Sequence, residues 1–179
     1  MSYIIAFVGI LLSGVVATLV TYRLNTTKEH VFFMRRKTEE LYLAVEGFDR
    51  SLSTYFLAAY PLVKGEISWN DFHDLSIKND DRRDAEASLQ VLMLIDIYFP
   101  DIKPIFDKYL EQRDTLGRIL SEHKRAYKAG TVSREFFEPF HRAMLDLASR
   151  SKELKHAALA EARKFASADR LWPWNKSPS

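Results

Sequence analysis

The sequence predicts an all-α fold: one N-terminal transmembrane helix continuing into a cytosolic antiparallel helical bundle. Three observations predict it. The chain opens on an uncharged apolar run, apolar residues recur at helical spacing through most of the remainder, and nothing between Arg23 and Arg170 shows the sustained alternation of a half-buried strand. The 179 residues are enough for one domain. A composition that is 47% hydrophobic and 28% charged, with six Gly and six Pro, excludes a disordered or fibrous chain. Cysteine is absent, which excludes disulfide frameworks, cysteine zinc sites and thiol nucleophiles.

Ser2 to Tyr22 contain no charged side chain. The run is 21 residues long, and a helix needs about 20 to cross a ~30 Å hydrocarbon core. Tyr3 at one end, with Tyr22 and Arg23 at the other, suits the two membrane interfaces. A cleaved signal peptide would want a basic segment first, and only Met-Ser-Tyr precedes the apolar stretch, so an uncleaved anchor is expected. Residues 23–37 hold five basic side chains against Glu29, and the N-terminal side holds none. The positive-inside bias then puts the N-terminus outside and the C-terminal body in the cytoplasm, as in a bacterial inner membrane. Gly9, Ser13, Ala17 and Thr21 recur every fourth residue and share one helix stripe. Small residues at that spacing let membrane helices approach closely, and a hydroxyl-bearing stripe lines a narrow pore once several copies assemble. Such residues are also common in any membrane helix.

The next helix is expected over about Thr27 to Tyr60. Met34, Thr38, Leu41, Val45, Phe48, Leu52, Tyr55 and Ala59 follow a four-three seam, and Pro61 and Gly65 end it. The seam serves an intramolecular bundle as well as it serves parallel self-association. Ser68 with Asp71 three residues on forms a capping box for a short helix near Trp69 to Ile77. A third helix runs from Ala85 to Phe99, where Pro100 stops it. Asp101 is the expected cap of a fourth, with Ile105, Tyr109, Leu116, Leu120, His123 and Tyr127 on its face, ending at Gly130. The fifth starts near Ser133 and reaches about Ala168, with Pro139 in its second turn expected either to kink it or to move its true start to Glu138. Its apolar face is Phe137, Phe140, Met144, Leu147, Leu154, Ala158 and Phe165. The organisation is thus a span at 2–22, a bundle at 23–168 and an aromatic, basic tail at 169–179. Trp172 and Trp174 in that tail, beside Arg170 and Lys176, suit either the headgroup layer or packing on the bundle.

Net charge hides a strong asymmetry. Residues 23–37 sum to +4, residues 38–117 to −8 and residues 118–179 to +6. Arg35, Arg36 and Lys37, and separately Lys124, Arg125 and Lys128, are clusters able to hold an anionic ligand such as a nucleotide or short oligonucleotide. The same charges also serve anionic lipid or simple solubility.

Enzyme and cofactor motifs fail. There is no phosphate loop, no GxSxG and no HExxH. The two Glu-x-x-His pairs, Glu138 with His141 and Glu153 with His156, lie on one helix, about 22 Å apart along its axis, so they do not meet in one subunit. His73-Asp74 lacks the further ligands of a metal-dependent phosphohydrolase, and His123 at a seam position reads as a core or interface histidine rather than a base. No catalytic residue, cofactor or metal is expected.

One short span (Ile4 to Thr21), a helical cytosolic body and no catalytic signature resemble the small membrane effectors of bacterial anti-phage operons, in particular the channel-forming effector of Hailong-type systems. The resemblance implies a homo-oligomeric pore lined by the Gly9, Ser13, Ala17 and Thr21 face. It also implies an oligonucleotide made by an operon-encoded partner enzyme, bound on the basic clusters. The competing expectation is a non-conducting adaptor that docks a protein partner through exposed aromatics such as Trp69 or Phe72.

Overall fold

The computed structural model describes residues 2–78, 83–131 and 134–168, with side chains placed over 15–76, 87–131 and 134–165. Among the described residues it is all-helical: α1 (Ser2–Lys64), α2 (Trp69–Lys78), α3 (Arg83–Tyr98), α4 (Lys103–Lys128) and α5 (Phe137–Ala168), with short 3₁₀ turns at Pro100–Ile102 and Arg134–Phe136. The chain divides into two compact units. One comprises Met1–Arg36 with Arg163–Ser179, and the other comprises Lys37–Ala162.

In the first unit, the side chains of Val15, Val16, Leu19, Val20 and Tyr22 are more than half exposed. Among the described residues no helix is long and apolar enough to cross a membrane. The expected span lies mostly on residues 1–14, whose side chains are outside the described ones.

The second unit is a helical bundle. Its helix ends follow local chemistry. Pro61 opens the last turn of α1, and Gly65 stops it at a φ of +81°, a conformation that glycine adopts without steric cost. Gly65 N–H donates to the Leu62 carbonyl and Glu66 N–H to the Pro61 carbonyl, the paired bonds of a Schellman cap. Gly130, at φ +76°, ends α4 the same way, with bonds to Tyr127 and Ala126. The capping box at α2 forms as expected: Ser68 N–H and hydroxyl donate to the Asp71 carboxylate, and Asp71 N–H donates to Ser68 Oγ. Asp101 does not cap α4. Pro100 starts a 3₁₀ turn instead, so the N-cap falls on Ile102, which gives no side-chain bond. Of the two expected starts for α5, the structure takes the one set by Pro139: α5 begins at Phe137, with Pro139 in its first turn, where no amide hydrogen is needed.

The core forms where the apolar faces meet. Leu41, Val45, Phe48, Phe56, Ala59, Leu62 and Val63 of α1 are buried with Val91, Leu94 and Ile95 of α3, Phe106, Tyr109 and Leu116 of α4, and Phe140, Leu147 and Leu154 of α5. Each large side chain removed from water contributes about 1.5–3 kcal/mol. The expected seam drifts at Tyr55, which is 43% exposed while Phe56 is 3% exposed. A straight helix of 3.6 residues per turn slips about 20° per heptad against a 3.5 repeat, so the inward position moves from Tyr55 to Phe56. In α4, likewise, Phe106 is buried and Ile105 only half-buried, and Tyr127 is largely exposed.

Specific contacts give the helix directions. Phe48 meets Phe106 and Tyr109 of α4, and Trp69 meets His123 near the end of α4, so α4 runs alongside α1 in the same sense. Phe56 meets Phe140 and Tyr60 meets His141, whereas Lys155 reaches back to Asp49, so α5 runs opposite to α1. Lys37 lies over Tyr98 at the end of α3.

A charged knot ties three of these helices. Lys155 Nζ lies 2.6 Å from Glu46 and 2.8 Å from Asp49, and the Tyr109 hydroxyl donates to the other Asp49 oxygen at 3.0 Å. Burial pulls the Lys155 ammonium pKa down, but the hydrogen bonds and charges of Asp49 and Glu46 outweigh it and the net shift is upward. The Tyr109 phenol is pushed well up, first by burial and then by the Asp49 carboxylate. Asp49→Ala leaves the Tyr109 hydroxyl without its acceptor and Lys155 with Glu46 alone. It should lower the unfolding free energy by about 2 kcal/mol in a urea titration. A loss below about 0.5 kcal/mol would show that apolar packing alone holds the three helices.

Candidate functional site

Where α1 and α4 end, their terminal turns and the 65–68 loop enclose a cleft of about 520 Å³. Leu62, Val63 and Lys64 come from the last turn of α1, and Gly65 to Ser68 form the loop. Asp71 comes from α2, His123 and Tyr127 from α4, and Arg134 from the 3₁₀ turn before α5. The two glycine-terminated helices make this possible, because each reverses the chain immediately after its last turn. A second groove, between α4 and α5 at Gln112, Arg118, Glu138 and Arg142, is more open, and the Gln112 amide is committed to the Ala143 carbonyl at 3.1 Å.

His123, which lines the cleft, belongs to an aromatic cluster beside it. Trp69 sits 5.7 Å from His123 and 5.6 Å from Phe72, while His123 meets Phe136 edge-on at 5.5 Å. Lys124 Nζ caps the outer face of Trp69, 5.3 Å from the ring centre. His123 is 6% exposed, as expected of a core histidine, but its Nδ1 and the nearby Trp69 Nε1 are buried without a hydrogen-bond partner. Each such atom costs about 1–3 kcal/mol. The rim is polar. Lys64 pairs with Glu66, Asp71 is engaged by Ser68, and the Tyr127 ring is 44% exposed. The Ser68 hydroxyl and N–H hold the Asp71 carboxyl below its usual range.

The sequence-selected residues distribute unevenly around this site. Lys124, Arg125 and Lys128 lie on the last turns of α4, at the end of the bundle where the cleft is, yet none of them lines it. Lys37 pairs with Glu40 at 2.6 Å beside Tyr98, at the other end of the bundle, so Lys37 and Lys124 do not share one ligand site. The reason is topological: α4 runs in the same sense as α1, which carries its C-terminal cations away from Lys37. Arg35 and Arg36 are exposed in the other compact unit. Ala17, Thr21, Tyr22 and Arg23 are exposed on α1. Tyr3, Gly9, Ser13, Trp172 and Trp174 lie outside the residues whose side chains are described. Among the described residues, no three His, Asp or Glu side chains gather as a metal site requires. His141 instead shares a hydrogen bond with the Tyr60 hydroxyl at 3.3 Å and stacks on Phe137. Tyr127 was visible in the sequence only as a face residue, and Arg134 carried no signal at all, being one cation in a connection.

Burial holds the His123 imidazole pKa below its usual value of 6.5. As pH falls, the unfolded chain therefore takes up this proton first. The stability that neutral His123 contributes is complete above about pH 6.5 and is lost as pH falls towards the folded-state pKa. Urea unfolding at pH 7.5 and 5.5 should show a drop that is smaller in His123→Phe; equal drops in both proteins would remove His123 as its source. The chain matches no protein-family model, no curated protein and no solved structure, so what the cleft does must follow from its own residues.

Proposed function

We propose that the chain is a single-pass membrane protein whose helical bundle faces the cytoplasm and controls the behaviour of its span. On this reading it is a homo-oligomeric, channel-like effector. An anionic ligand, such as a nucleotide or short oligonucleotide, gates it, and it acts in bacterial anti-phage defence like the Hailong-type effectors it resembles. One observation carries the reading: α1 is a single helix from Ser2 to Lys64. The apolar run and the last turn of the cleft are therefore joined by continuous backbone hydrogen bonding, with no intervening linker. The exposed apolar side chains at Val15, Val16, Leu19 and Val20 support a lipid or helix partner for this stretch, and the basic residues after Tyr22 support its orientation.

A second reading has an observation of its own. Leu89, Met93 and Ile97 of α3 are 66%, 50% and 61% exposed and recur every fourth residue, so α3 is apolar on both faces. A helix of that kind is ordinarily covered, which favours an anchored adaptor that does not conduct.

The full chain, purified in mild detergent and fused into a planar bilayer, separates the two. The effector reading expects a defined oligomer by mass and discrete currents, abolished when Ser13 and Ala17 are both changed to Leu with insertion unchanged. A stable but silent chain would overturn it in favour of the adaptor.

A further inference from the structure

The charged side chains of the cleft are Lys64, Glu66, Asp71 and Arg134. Lys64 is matched by Glu66, and Asp71 by the hydroxyl and N–H of Ser68. Arg134 alone has no hydrogen bond or ion pair among the described residues. It lies close enough to Lys64 to oppose that ammonium's charge, although the Glu66 hydrogen bond and carboxylate still hold the Lys64 pKa above its usual range. Two cations therefore share the rim with two carboxylates, of which Asp71 is held by Ser68 and Glu66 by Lys64, and that Lys64–Glu66 pair is half-exposed and readily exchanged for a stronger anion. Beneath the rim, Leu62, Val63 and Ile67 give an apolar floor, and Tyr127 offers a ring and a hydroxyl. His123 stands in the same wall with an unpartnered nitrogen.

We infer that this cleft binds a small phosphate monoester with a planar body, its phosphate held between Arg134 and Lys64 and its body on the apolar floor beside Tyr127. A monocarboxylate matches Arg134 alone. A phosphate dianion matches both cations, because it presents enough oxygens to take the guanidinium fork and the ammonium together. The volume, about 520 Å³, accommodates a body beyond the phosphate. This inference rests on the reading of the bundle as the control element and names the ligand chemistry of that element.

The test is calorimetric titration of the full chain in nanodiscs with phenyl phosphate, inorganic phosphate and benzoate at constant ionic strength. Phenyl phosphate should bind about tenfold more tightly than either of the others, since it alone offers both dianion and ring. Arg134→Gln should weaken it at least about tenfold, while the triple variant Lys124→Gln, Arg125→Gln, Lys128→Gln should leave it unchanged. Arg134 is exposed, so its variant keeps the core, which the urea midpoint checks. Equal affinity for benzoate, no detectable binding, or binding indifferent to Arg134→Gln would each overturn the inference. No current is measured, so failure here is distinct from a silent bilayer.

Discussion

The contact on which the bundle depends is the one between Lys155 and the two carboxylates of α1. Apolar faces attract without direction, and helices bearing Leu, Val and Phe can slide a turn or rotate a few tens of degrees at modest cost. A lysine that must satisfy Glu46 and Asp49, while Asp49 also accepts from Tyr109, has very few such freedoms. These three groups are partly shielded from water, so a shift that separated them would leave desolvated charge behind. With α1, α4 and α5 registered at this point, the aromatic pairs farther along fall into place: Phe48 on Phe106, Phe56 on Phe140 and Tyr60 on His141.

That register also builds the cleft. Counting from Asp49, Lys64 is fifteen residues on along α1, and His123 is fourteen beyond Tyr109 along α4. Two helices aligned at the knot and running in the same sense therefore bring Lys64 and His123 to one level; Gly65 stops α1 there, and α4 runs about one turn further before Gly130 stops it in the same left-handed conformation. Arg134 joins them because α5 must begin there to run back and present Lys155 to Asp49. The convergence of Lys64, His123, Tyr127 and Arg134 is thus a consequence of one half-buried ion pair and two chain reversals.

How much of this was legible in the sequence depends on the range of the forces involved. Gly65, Gly130, Pro100 and the Ser68–Asp71 box act within a turn, so the helix ends they set could be placed from the residues alone. Pro100 misled in one respect. It stops α3, but its fixed φ starts a 3₁₀ turn that displaces Asp101 from the cap. The change from Tyr55 to Phe56 was hidden for a different reason. A four-three pattern and a 3.6-residue helix agree over two heptads and diverge over three, and only the neighbours decide which member of an aromatic pair turns inward. The basic clusters were legible as charge but not as a site. Two of the side chains that line the cleft, His123 and Tyr127, are neighbours of the counted cations, and Arg134 acquires meaning only when α5 folds back.

On the proposed reading, control of the N-terminal segment from this cleft acts through the last turn of α1. A ligand shifts an equilibrium only by binding its two states unequally, so the cleft must change shape between them. Within α1, the turn from Pro61 to Lys64 lacks one backbone hydrogen bond. Pro61 has no N–H to return to the carbonyl four residues before it, and the final carbonyls are taken by Gly65 and Glu66. What holds the turn is this glycine cap and the burial of Leu62 and Val63, while the half-exposed bridge from Lys64 to Glu66 adds little. An anion that draws Lys64 from Glu66 therefore acts first on the weakest of these restraints.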